Sequence, residues 1–107
     1  MDEKMNMEIA EKHGAYPLSY RSIFQALQAH AQEDPGREFL IYYGDDERKR
    51  FVYNFIAFET AVIKLAAAFA ERYQIGRGDR VATLMFNHPH TVFSYFAIWA
   101  LGAVVVP

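Results

Sequence analysis

Residues 76–107 read GRGDRVATLMFNHPHTVFSYFAIWALGAVVVP, and this stretch decides the fold. The apolar run over residues 80–86 predicts a strand, and the almost wholly apolar run over residues 91–101 predicts a helix that must be covered on several sides. Residues 104–106 are three consecutive valines, which is typical of a parallel strand buried on both faces. Strand, helix and strand in this order predict a right-handed βαβ unit.

Upstream of this unit, spacing and turn residues predict three further elements. Apolar residues at helical spacing over residues 22–32 predict an amphipathic helix with Ser22 as its N-cap. The β-prone runs 39–43 and 50–53 flank a charged, glycine-containing turn, which predicts a β-hairpin. A long helix is predicted to follow Asn54 as its N-cap and to reach Tyr73.

These elements predict an α/β fold in the order helix, β-hairpin, helix and parallel β-α-β unit. The chain has 107 residues, of which 52% are hydrophobic and 16% aromatic, and this is more apolar surface than so small a domain readily buries. We therefore expect residues 21–107 to be the incomplete N-terminal portion of a larger layered α/β domain. Residues 1–20 lack clean periodicity and are expected to form a flexible leader.

Composition and charge exclude several function classes. A formal net charge of −2 gives no positive field to attract nucleic acid. The sequence has no cysteine, which excludes disulfides, thiolate metal sites and a cysteine nucleophile. No membrane-spanning segment and no secretion signal are recognisable, so a cytoplasmic location is expected.

The glycines of the turn at residues 76–79 do not predict a phosphate site. A phosphate-binding loop follows a strand and opens a helix, whereas Gly76 and Gly78 precede a strand. The loop at Asn87 and His88 has the best claim to a ligand, because it follows the carboxyl end of a parallel strand. Asn87 is also the predicted N-cap of the helix that follows, with Pro89 in its first turn.

No group in the sequence predicts catalysis. His88 and His90 form the one close histidine pair, but they have no identifiable third ligand and are expected to be surface or cap residues. Ser22, Thr60 and Ser94 lack partners that spacing would pair with them. We therefore assign no catalytic, cofactor-binding or metal-binding residue in this chain.

The order of these parts resembles the N-terminal region of the AMP-binding, adenylate-forming enzymes, and most closely acyl-CoA synthetases. The residues that carry the resemblance are GDRVA at 78–82, Asn87 after the strand, and GAVVVP at 102–107. It extends upstream over nearly everything after residue 20. One departure is Val52 before the hairpin tyrosine, with Phe55 and Ile56 after it, where the family usually has Thr or Ser and then an acidic residue with Leu.

The resemblance implies a longer parent enzyme, an acid–thiol ligase. Such enzymes activate a carboxylic acid with ATP and Mg²⁺ to an acyl-adenylate, release pyrophosphate, and transfer the acyl group to coenzyme A. The residues for this chemistry lie downstream in the family and have no counterpart in this chain. ATP, Mg²⁺ and coenzyme A are therefore expected in the parent enzyme only, and the 107 residues alone are expected to be inactive.

Two alternatives stay open from the sequence. The chain could come from another adenylate-forming branch, such as a peptide-synthetase adenylation domain or a luciferase-like enzyme, because it lacks the acyl pocket that separates them. It could instead be a free-standing α/β interaction module. In the isolated chain, we expect self-association through residues 104–106 and an uncovered surface of Phe93, Phe96 and Trp99.

Overall fold

The structure, a computed structural model, describes residues 19–46 and 48–107. Its elements are α1 (Ile23–Glu33), β1 (Glu38–Tyr43), β2 (Arg50–Asn54), α2 (Phe55–Tyr73), β3 (Arg80–Ala82), α3 (Pro89–Ala100) and β4 (Val104–Val106). The predicted α/β fold is confirmed, with the elements in the predicted order. The predicted flexible leader at 1–20 lies, apart from Ser19 and Tyr20, outside the described residues.

The first two helices begin at the predicted caps. The Ser22 Oγ accepts a hydrogen bond from the Gln25 backbone N–H at 3.0 Å, and the Asn54 Oδ1 accepts one from the Ala57 N–H at 2.8 Å. Each bond satisfies a backbone donor that has no partner within its helix. At the other end of α2, Gln74 adopts a left-handed conformation with φ of 55° and donates its N–H to the Phe69 carbonyl. This is a common way to end a helix.

The strands β1 and β2 form the predicted antiparallel hairpin. Ile41 pairs with Val52 and Tyr43 with Arg50, and the register shifts between Glu38 and Leu40. This irregularity leaves Phe39 unpaired in the ladder, as in a β-bulge. The side chain of Phe39 packs against the Phe58 ring, with centroids 4.8 Å apart.

The core lies where the three helices and the hairpin meet. Phe58 is fully buried, and the rings of Phe39, Phe93 and Phe96 pack edge-to-face around it at centroid distances of 4.8, 5.3 and 5.0 Å. Edge-to-face contacts bring the positive edge of one ring to the negative face of another. The expectation that Phe93 is uncovered is wrong, because it is only 6% exposed and belongs to this cluster.

The strands β3 and β4 are parallel, as predicted, and Val81 pairs with Val105. The predicted strand over residues 80–86 is too long, because β3 ends at Ala82. Its last bond to β4 runs from the Thr83 N–H to the Val106 carbonyl at 2.9 Å.

The expectation that residues 104–106 are uncovered in the isolated chain is confirmed for Val104 and Val106. Val104 and Val106 are 51% and 44% exposed, whereas Val105 between them is half-buried. One face of the β3–β4 pair therefore packs against the helices and the other is open. The hairpin and the parallel pair are separate two-stranded sheets.

Residues 91–100 of α3 are all buried or half-buried, as their apolar sequence predicts. None of the helices in the described part is both long enough and apolar enough to cross a bilayer.

Candidate functional site

The loop that follows β3 is the site that the sequence favours, and it projects from the body of the protein. Leu84 is fully exposed and Phe86 is 92% exposed, although both side chains are large and apolar. Residues 83–86 contain no turn or bend, and the chain bends only at residues 87 and 88 before α3 begins. Residues 83–86 thus continue from the carboxyl end of β3 as a short segment without a turn or bend, and two of its large apolar side chains are exposed.

A histidine caps α3, and the prediction that Asn87 is the cap is wrong. Pro89 is the first residue of α3, where its missing N–H costs nothing, so His88 occupies the N-cap position. The His88 Nδ1 accepts a hydrogen bond from the His90 backbone N–H at 3.1 Å. A neutral imidazole that accepts at Nδ1 carries its proton on Nε2.

The imidazole of His88 also contacts the hairpin. Its ring centroid lies 5.3 Å from that of Tyr42 and 4.6 Å from that of His90. A shallow cavity of about 310 Å³ lies between the hairpin and this loop, lined by residues 40–43, 87–89 and 92. Asn87 and His88, the loop residues with the best claim to a ligand, therefore line one cavity with Tyr42, a neighbour that sequence spacing does not indicate.

The described residues do not build a metal centre at the histidine pair. One ring nitrogen of His88 is already used as a cap, and no group of three His, Asp or Glu residues in the described part of the chain could hold an ion. Zinc sites in proteins need at least three such ligands. His88 therefore has an observed structural role as the cap of α3. The sequence indicated only that it would be a surface or a cap residue.

The hydroxyl groups considered from the sequence bond to backbone atoms. The Ser94 Oγ donates to the His90 carbonyl at 2.7 Å, and the Thr60 Oγ1 donates to the Ile56 carbonyl at 2.8 Å. Such bonds to the preceding helical turn satisfy a hydroxyl without an acid–base partner. With Ser22 used as a cap, all three groups have ordinary structural roles.

The glycine turn before β3 uses its amides internally. The Gly76 N–H donates to the Asp79 Oδ2 at 2.8 Å, and the Gly78 N–H donates to the Gly102 carbonyl at 2.9 Å. Gly78 has a positive φ of 86°, which favours glycine. These bonds fix the entry to β3 and engage two of the amides that a phosphate would need.

A second concave feature, which the sequence did not indicate, lies between α2, α3 and β3. It is a groove of about 1020 Å³ with an apolar floor that includes Leu65, Phe69 and Phe93. Residues 80–85 all line it. Because side chains of consecutive strand residues point to opposite faces, this continuous lining means that the open edge of the strand is itself one wall. In the sequence, the groove could have been inferred only if residues 83–86 had been recognised as a segment without a pairing strand in the described part of the chain.

Comparison with known proteins gives a consistent result. The AMP-binding enzyme family matches residues 27–107. Human long-chain fatty acid transport protein 6 is 30% identical over 84 residues, which is 78% of this chain and 13% of that protein. A long-chain-fatty-acid–CoA ligase of Bacillus subtilis is 32% identical over 90 residues, which is 84% of this chain and 15% of that protein.

Solved structures share the fold. The fatty acyl-adenylate ligase of Legionella pneumophila, solved with acyl adenylate and pyrophosphate, superposes with a TM-score of 0.73 at 16% identity, over 83% of this chain and 15% of that one. The N-terminal domain of FACL13 from Mycobacterium tuberculosis gives a TM-score of 0.64 at 26% identity, over 82% of this chain and 21% of that one. The chain thus spans about one seventh of the length of the curated relatives that it matches.

Proposed function

The chain belongs to the AMP-binding enzyme family, and from that premise we propose that it is the N-terminal part of an ATP-dependent acyl-CoA ligase. In the proposed reaction, a carboxylate oxygen of the acid attacks the α-phosphate of ATP, and pyrophosphate leaves. The thiol of coenzyme A then attacks the carbonyl of the acyl-adenylate, and AMP leaves. The observation that carries the proposal is the family match over residues 27–107.

The substrate class that we propose is a long-chain fatty acid. The support is the similarity of this chain to a long-chain-fatty-acid–CoA ligase and to a fatty acyl-adenylate ligase. The residues that would form the acyl pocket are not identified in this chain.

We propose that residues 21–107 act as scaffold within the large domain of that enzyme. The caps, the aromatic core and the β3–β4 pair are all structural features. Among residues 19–46 and 48–107, neither the histidine pair nor the glycine turn offers a built site for ATP or Mg²⁺. We expect ATP, Mg²⁺ and coenzyme A to be held by the remainder of the polypeptide. A cytoplasmic location is part of the same proposal.

The direct test is ATP–pyrophosphate exchange, which measures reversible adenylate formation. We expect the product of the full reading frame to exchange labelled pyrophosphate into ATP only when a long-chain fatty acid is present. The purified 107-residue chain should show no exchange above a reaction without protein. Exchange by this chain alone would contradict its scaffold role, and a full-length product inactive with every acid tested would contradict the ligase.

The alternative branches are separated by the same assay with different acids. Exchange with amino acids would indicate a peptide-synthetase adenylation domain, and light emission with a luciferin would indicate a luciferase-like enzyme. Formation of acyl-CoA from fatty acid, ATP and coenzyme A would support the ligase.

The open face of the β3–β4 pair favours a second role for the isolated chain, which is self-association.

A further inference from the structure

The cap of α3 depends on a nitrogen atom that can gain a proton. The His88 Nδ1 accepts the His90 backbone N–H at 3.1 Å, and α3 begins at Pro89, directly after His88. An imidazole nitrogen accepts a hydrogen bond only while it carries no proton. Histidine is the side chain whose charge ordinarily changes between about pH 5 and pH 8. The caps of α1 and α2, Ser22 and Asn54, are a hydroxyl and an amide, which do not titrate in this range.

The surroundings of His88 on α3 also disfavour a positive charge. The free N–H groups at the start of a helix carry partial positive charge, which repels a protonated imidazole. The His90 ring lies with its centroid 4.6 Å from that of His88, so protonation of both rings would place two positive charges side by side. Both ion pairs in the described part of the chain involve arginine, and neither imidazole is paired with a carboxylate there.

The hairpin does not reverse this preference. The titratable groups that face His88 from β1 are Tyr42 and Tyr43, which line the same cavity. A tyrosine hydroxyl carries no charge below about pH 8. The Tyr42 ring lies 5.3 Å from that of His88 and would attract a positive imidazole, but the two rings are tilted by 59° and His88 is exposed. Such an attraction is weaker than a cap and a helix dipole together.

We propose that His88 is a pH-sensitive cap, which holds the first turn of α3 when it is neutral and releases it when it is protonated. A proton and the His90 N–H compete for the same nitrogen atom, whereas an uncapped ring is free to take the proton. Capping and proton binding therefore oppose each other, and the cap weakens as the pH falls. The released ring can leave its position against Tyr42, so the contact between α3 and the hairpin weakens together with the cap.

The change is confined to the start of α3. The Thr91 Oγ1 donates to the Phe86 carbonyl, and the Thr91 N–H donates to the His88 carbonyl at 3.0 Å. Neither bond involves a titratable group. Phe93 and Ala97 are buried and anchor the rest of the helix. Acid therefore loosens the first turn without unfolding the protein. Since the cap bond joins residues two positions apart, it is independent of the proposed ligase activity.

Hydrogen exchange followed by mass spectrometry tests the cap in the product of the full reading frame, at about pH 7.5 and about pH 5.5. The rates are corrected for the pH dependence of intrinsic amide exchange. We expect the protection of amides 90–94 to fall by about threefold or more at the lower pH, which is the size expected for a lost cap. The first turn of α1, capped by Ser22, is the internal reference and should keep its protection.

His88→Asn is the decisive variant, because asparagine caps a helix without titrating. It should keep the same protection of amides 90–94 at both pH values. The matched control is His90→Asn, which removes the other imidazole and keeps the backbone N–H that His88 accepts. This control should still lose protection in acid. Circular dichroism of each variant shows whether the fold is retained.

Equal acid loss in His88→Asn and in the unsubstituted protein would overturn the proposal, because another group would then be responsible. An acid loss that disappears in His90→Asn would also overturn it, since the titrating ring would be that of His90. Protection of amides 90–94 that does not change with pH in the unsubstituted protein would overturn it without any variant.

Discussion

The His88 Nδ1 lies 3.1 Å from the His90 backbone nitrogen, and its ring lies 5.3 Å from that of Tyr42. One imidazole thus caps α3 and contacts the hairpin. The two contacts join the loop after β3 to an element from a different sheet. His88 is therefore the residue of the candidate site whose replacement is the most informative for stability.

Replacement of His88 by alanine should destabilise the protein by about 0.5–2 kcal/mol, because the first turn of α3 loses its side-chain acceptor. His88→Asn keeps an acceptor at the cap and should recover most of this loss. Urea unfolding followed by circular dichroism measures both values. An asparagine variant no more stable than the alanine variant would show that the ring contacts matter more than the cap.

Phe58→Ala should be the most damaging single truncation in the core. Phe58 is fully buried among three other aromatic rings, and such truncations cost roughly 3–5 kcal/mol. Ile63→Ala, on the exposed side of the same helix, should cost less than about 1 kcal/mol. Thermal unfolding of the two variants compares them directly, and similar losses would contradict the position of the core.

Gly102→Ala should destabilise the connection between α3 and β4. Gly102 has a φ of 73°, and a Cβ there would lie 3.4 Å from the Arg77 Cγ. The left-handed conformation alone costs a non-glycine residue about 1–2 kcal/mol. Gly36→Ala is the control, since its added Cβ meets nothing within 4 Å and no positive φ is present. Chemical denaturation should separate the two variants by at least about 1 kcal/mol.

Asp79→Ala should loosen the turn that leads into β3. The carboxylate accepts the Gly76 N–H at 2.8 Å, and a hydrogen bond of this kind contributes about 0.5–1.5 kcal/mol. Asp79→Asn retains an acceptor oxygen and should be milder. Amide hydrogen exchange at Gly76 reports the bond itself, and protection unchanged in the alanine variant would argue against it.

Much of the fold was predictable from helix-cap residues and from the spacing of apolar residues. Ser22 and Asn54 were recognisable as caps because their side-chain oxygens suit that position, and α2 extends to Tyr73 as its apolar stripe predicts. The length of β3 was not predictable from its own residues. The pairing that defines β3 joins residues 80–82 to residues 104–106, and such pairing between distant segments is not visible in the residues of one strand.

The candidate site was predictable only in outline. The loop at residues 87 and 88 was correctly placed after a parallel strand, but the cap fell on His88 because Pro89 begins the helix. The burial of Phe93 could not be predicted from the sequence, because most residues of α3 are apolar and none is marked as the most buried. It follows from the position of Phe58 on a different helix.

The shifted register at Phe39 changes how this hairpin should be aligned with other sequences. Phe39 is 41% exposed and Ile41 42%, yet the Phe39 ring contacts Phe58. The bulge adds one residue to β1 relative to β2, so an ungapped comparison of residues 38–43 with a hairpin that lacks the bulge would misplace the residues on one side of Phe39. Profiles that allow a one-residue insertion at this position should score the hairpin more faithfully.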